Sequence, residues 1–87
     1  FFFIIGLTEF YCLLNQLTWL DVICCQALEY LDCSRNQLTS LDVSKNTNLF
    51  ELDCYYNQLT SLDVSGCKAL TYVYCDEEVT IIRNTTP

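Results

Sequence analysis

The amino-acid sequence predicts a β-rich repeat solenoid, a right-handed stack of coils with a parallel sheet on its concave face and a second column of short strands. Three observations carry that prediction. A 21-residue line recurs from Leu7, Leu28, Leu49 and Leu70, and three of its four copies run without an insertion. A fixed period in the twenties marks coils stacked one on the next, because a single coil cannot bury its own apolar face. Within each line the residues alternate as in a strand, so that Leu31 and Cys33 face inward and Tyr30 and Asp32 outward. The tetrapeptide Asn-Gln-Leu-Thr also returns identically at 15–18, 36–39 and 57–60.

The chain divides into three parts. Residues 1–6 are an apolar N-terminal extension, residues 7–82 four coils of which the last is degenerate, and residues 83–87 a tail. The run Phe1 to Ile5 is too short for a signal-peptide core or a membrane span. It reads as part of a longer array from which this chain is a fragment, or as a lid over the first coil. Asn84-Thr85-Thr86 in the tail fits the glycosylation acceptor pattern.

In each coil a first strand centres on the inward apolar residue two before the ladder Cys, Leu31 and Leu52 in the regular coils and Phe10 in the first. An Asn follows where the chain leaves the strand, at Asn15, Asn36 and Asn57. Its side chain is expected to satisfy backbone groups that the turn would otherwise orphan. A second alternation follows, with Leu41 and Val43 in and Asp42 out, predicting a narrow strand on the far flank. Ser44 to Asn48 and Ser65 to Ala69 read as convex turns. In the fourth coil Glu78 stands at the Asn position. Val79-Thr80-Ile81-Ile82 fits Leu-Thr-Ser-Leu only with one residue deleted, which predicts a plain terminal strand.

The frame L-x-x-L-x-C-x-x-N-x-L, seen in Leu28, Leu31, Cys33, Asn36 and Leu38, resembles the leucine-rich repeat pattern, with Cys at the third apolar site. Its second half, Leu-x-x-Leu-Asp-Val-Ser, is similar to the short 21-residue bacterial cell-surface type. The resemblance implies a non-catalytic protein-interaction or adhesion module, located extracellularly or at the cell surface.

Composition narrows the partners. The net charge is −7, from 11 acidic and 4 basic residues, which argues against nucleic-acid phosphates and anionic lipid. The sequence holds seven Cys and no His. Cys12, Cys33, Cys54 and Cys75 recur at a core Leu site, so they read as packing. Neighbouring Cβ vectors there run parallel, which is poor disulfide geometry. No C-x-x-C pair suggests zinc, and no cofactor or metal is expected. Cys24, Cys25 and Cys67 read as residues of the convex turns, more accessible than the ladder and without an assigned role. No Ser or Cys stands in a nucleophile setting, so no catalytic residue is assigned.

The outward strand positions form the candidate binding surface. One column is Glu9, Tyr30, Glu51, Tyr72. The next is Tyr11, Asp32, Asp53, Tyr74. Beyond them lie Leu13, Ser34, Tyr55, Asp76 and then Leu14, Arg35, Tyr56, Glu77. The expected binding residues are Tyr30, Asp32, Arg35, Glu51, Asp53, Tyr55, Tyr72 and Tyr74. Tyr offers contact area at low entropy cost, which suits a protein partner. The same columns could equally be cross-strand packing, making the chain a spacer in an adhesin. A glycan is a further alternative. Asp21, Asp42 and Asp63 form a second, like-charged column. Calcium could bridge it, but two ligands per gap fall short of what that ion needs, and a solvated edge is the plainer reading. With no polar cap visible, self-association through the ends is also expected.

Overall fold

The computed structural model describes residues 8–12, 15–23 and 25–83. The expectations for Phe1 to Ile5, Leu7, Leu13, Leu14, Cys24 and the tail from Asn84 lie outside those residues.

The architecture is a parallel-strand solenoid, as the period requires. The strands are β1 (Glu9–Tyr11), β2 (Tyr30–Asp32), β3 (Glu51–Asp53), β4 (Ser61–Asp63), β5 (Tyr72–Tyr74) and β6 (Thr80–Ile82). A four-stranded parallel sheet stacks in the order β1-β2-β3-β5. Its register joins Phe10, Leu31, Leu52 and Val73 in one inward row. The second flank is a bridge between Asp21 and Asp42, followed by the pair β4-β6. Leu28, Leu31, Leu38, Leu49, Leu52 and Leu62 fill the space between the flanks, each essentially inaccessible.

The far flank turns by two successive tight bends in every complete coil. The N–H of Cys25, Asn46 and Cys67 donates to the carbonyl three residues earlier, on Val22, Val43 and Val64. The N–H of Leu28, Leu49 and Leu70 then donates to Cys25, Asn46 and Cys67 in turn. These local bonds satisfy backbone groups that the flank strands, being so short, leave without ladder partners.

The structure corrects four sequence expectations. Cys25 and Cys67 are buried, at 7% and 6% exposure, and are not accessible turn residues. Together with Asn46 they form a second inward column, because the two bends carry this position back beneath the valines. Ser34, expected on the outer face, is buried: its hydroxyl donates to Asp32 Oδ1 at 2.7 Å, folding it against the strand end. The fourth coil is shorter than the repeat by two residues where one was expected, since Leu62 pairs with Ile81. The place of its Asn is taken by Asp76. The carboxylate of Asp76 accepts from the N–H of Tyr56 (3.1 Å) and of Asn57 (3.3 Å), while Glu78 is exposed.

Candidate binding face

The Asn column fixes the turn that borders the sheet. Asn36 Oδ1 accepts from the N–H of Asn15 (3.1 Å) and Leu17 (2.9 Å) in the preceding coil. Its Nδ2 donates to the carbonyls of Cys12, Cys33 and Ser34 at 3.0 to 3.2 Å. Asn57 repeats the arrangement one coil on, accepting from Leu38 and donating to Cys33, Cys54 and Tyr55. One side chain thus ties its own turn to its neighbour's, which keeps successive turns in register. The strand ends, and everything displayed on them, are held at one-coil spacing.

That spacing assembles the outward columns as the sequence predicts. Glu9, Tyr30, Glu51 and Tyr72 are paired in one register line, and Tyr11, Asp32, Asp53 and Tyr74 in the next. Tyr72 and Tyr74 are exposed, and Tyr30, Asp32, Glu51 and Asp53 half-buried. Six of the eight expected residues therefore lie on one continuous sheet surface. Tyr55 stands just past β3 and stacks on Tyr74, ring centroids 6.4 Å apart.

Arg35, the eighth, reaches the face by an unexpected route. Arg35 and Tyr56, one coil apart, adopt left-handed backbone with φ of 57° and 59°. Neither is Gly or Asn, so no residue signal announces the conformation. The consequence is that the Arg35 guanidinium sits 4.3 Å from the Tyr56 ring centre, a cation–π contact. Tyr56 in turn lies 5.9 Å from Tyr55. Tyr55, Tyr56 and Tyr74 form a ring cluster at one corner of the face. Gln16, in the first coil, also adopts left-handed backbone, with φ of 56°.

Electrostatics set the two aspartates apart. Each has one oxygen tied to the N–H two residues on, Asp32 to Ser34 at 3.1 Å and Asp53 to Tyr55 at 3.2 Å. Burial pushes the Asp53 carboxyl above its ordinary range, and the Asp32 charge in the next strand adds to the shift against the opposing Tyr55 bond. The Tyr30 hydroxyl is raised too, by burial first and then by the surrounding carboxylates. Carboxylates outnumber Arg35 there, so the face is net negative, and it is already partly desolvated.

The other acidic column has a local role. Asp21, Asp42 and Asp63 each accept from the N–H two residues on, at 2.9 to 3.0 Å. Hydrogen bonds from Ser44 and Ser65 lower the carboxyls of Asp42 and Asp63. These carboxylates open the flank turns. Among the described residues no group of three or more acidic, Cys or His side chains is placed to hold a metal ion.

The cysteine ladder packs as expected. Cys33 and Cys54 are fully buried and Cys12 nearly so; Cys75, in the last coil, is half-buried. Burial pushes the Cys12 thiol up to about 11 and that of Cys54 up to about 12, and raises Cys33 further. Thiols held in the protonated state are poor nucleophiles. At the N-terminal end of the stack, a depression of about 690 Å³ is lined by Phe10, Leu17, Trp19 and Leu20 among others.

No protein-family model and no curated protein matches the chain. Among solved structures it is similar to the functional domain of InlJ from Listeria monocytogenes, described as including a cysteine ladder. The two are 28% identical with a TM-score of 0.63, over 83% of this chain and 21% of that one. The chain therefore spans about a fifth of the length of that domain.

Proposed function

We propose that the chain is a non-catalytic binding module of leucine-rich repeat type, and that a protein partner docks on the outer face of the four-stranded sheet. The supporting observation is the register that sets exposed tyrosines and carboxylates side by side across β1, β2, β3 and β5. Large, rigid, amphipathic rings on a scaffold held by the Asn column lose little entropy on binding. The family resemblance and the likeness to a bacterial domain with a cysteine ladder support a place on the bacterial surface, within a longer array. Protein-display selection against the 87-residue chain tests the reading. Binders should lose affinity on Tyr30→Ala and Tyr72→Ala while the variants keep their melting temperature. If no selected binder responds to either substitution, the face is not the binding surface.

A second reading is the spacer, favoured by the ring contacts themselves. Tyr11 and Tyr30 meet at 5.1 Å across β1 and β2, and Phe50 and Tyr72 at 5.5 Å edge to face. Such pairs stabilise a sheet without a ligand. A strong fall in melting temperature on Tyr30→Ala, with binding unmoved, favours it.

A further inference from the structure

Building on the binding reading, we infer that the partner presents a basic segment, and that an arginine of that segment seats on the Tyr55–Tyr74 stack beside Asp53 and Asp32. Asp32 and Asp53 are paired in register on β2 and β3, with Glu51 in the adjoining column. Like charges directly opposed across a sheet destabilise it. One oxygen of each aspartate is bound by the N–H two residues on; the other has no donor among the described residues. Among the described residues no cation is placed to relieve the pair. Arg35 is turned onto Tyr56, Lys45 and Lys68 lie in the flank turns, and Arg83 follows β6.

The rings supply the second half of the argument. Arg35 on Tyr56 shows that a guanidinium seats over an exposed ring in this corner. Tyr55 and Tyr74, 27° from parallel and both exposed, offer a second ring surface of the same kind, next to Asp53. A guanidinium there gains a ring face and a carboxylate oxygen together, and relieves the Asp32–Asp53 repulsion. Glu9, Glu51, Asp76 and Glu77 extend the negative field over which further basic residues would lie.

The probe is a hexa-arginine peptide titrated into the 87-residue chain at low and physiological salt. Binding is expected, weakening several-fold as salt rises. The pair Asp32→Asn with Asp53→Asn keeps both turn acceptors and should weaken binding about tenfold. Tyr55→Leu with Tyr74→Leu should weaken it several-fold, with the salt dependence retained. The charge-matched pair Asp42→Asn with Asp63→Asn, on the other flank, should change it less than about twofold. Equal loss from both aspartate pairs overturns the inference, since attraction to net charge alone produces that result. Absence of hexa-arginine binding at low salt overturns it as well. Selected binders that are neutral, or a neutral glycan that binds and is lost on Tyr72→Ala, overturn the basic partner while leaving the face a binding surface. If no probe of any class responds to the face substitutions, the binding reading falls too.

Discussion

Asn46 and Cys67 stand at the same place in successive coils and donate to the same carbonyl of the coil before. Asn46 Nδ2 lies 3.0 Å from the Val22 oxygen, and Cys67 Sγ 3.3 Å from the Val43 oxygen. An amide and a thiol thus do one job: each caps a carbonyl that the flank bend leaves inside the core. The amide does more of it, since Asn46 Nδ2 also lies 2.9 Å from the Cys25 oxygen. A thiol is the weaker donor.

Removing these donors should therefore have unequal effects. Asn46→Ala removes two hydrogen bonds, the second donor of each of two carbonyls that keep their backbone N–H partners, and should cost about 1–3 kcal/mol. Cys67→Ala should cost less, about 1 kcal/mol, and Cys67→Asn should cost less still or stabilise. Urea midpoints of the three variants check the order; Cys67→Asn below Cys67→Ala would show that the site is too small for an amide.

Thiol labelling of the native chain should follow burial and not position in the repeat. Among the described cysteines, Cys75 should react first, and Cys25 and Cys67 should be slow, like Cys33 and Cys54. Mass mapping after a short pulse of iodoacetamide reads the order. Fast labelling at Cys25 and Cys67 would place them in open turns.

The same burial predicts alkaline instability. The folded thiols are raised, to about 12 for Cys54, from an ordinary value near 9. Above pH 9 the unfolded chain releases these protons while the folded chain keeps them, so stability present below that pH is lost as pH rises. Each such thiol contributes a slope of about −1.4 kcal/mol per pH unit in that window. Cys54→Val should flatten the decline of the urea midpoint between about pH 9 and 11. An unchanged decline would mean that the ladder thiols ionise as freely in the fold as outside it.

Asn36 and Asp76 should respond oppositely to exchange. Asn36 both accepts and donates while buried, so Asn36→Asp removes three donations and buries a charge, costing about 2–4 kcal/mol. Asp76 makes only acceptor contacts to Tyr56 and Asn57, so Asp76→Asn should be nearly neutral. Thermal melts of the two variants decide; equal loss would mean that Asp76 also needs its charge.

Asp53→Asn should raise stability at neutral pH. It keeps an oxygen for the Tyr55 N–H and removes the charge that burial and Asp32 oppose. Because the folded carboxyl is raised, the wild type holds its Asp53 contribution below the ordinary carboxyl range and loses it as pH climbs through the folded value. The advantage of the variant should thus fade on acidification toward pH 4. A variant less stable than wild type at pH 7 would show that the carboxylate is favourably solvated.

The 21-residue period determined the architecture without help. Once coils stack in register, residues twenty-one apart must be neighbours. The outward columns, the inward leucines and the Asn tie from coil to coil follow from counting. So do the positions of Tyr30, Glu51 and Tyr72 along one line of the face. What counting could not supply is which side chains the folded turns draw into their hydrogen bonds and their interior. That is a property of the folded turns, and it decided the departures. It drew Cys25 and Cys67 inward beside Asn46, folded Ser34 onto Asp32, and gave Asp76 the acceptor role of a missing Asn. The left-handed backbone at Arg35 and Tyr56, and the seating of a guanidinium on a ring there, were likewise visible only in the fold. The Ser34 bond is local, but the Asn46, Cys67, Asp76 and Arg35 contacts join groups from different coils, and only the packed chain brings such groups together.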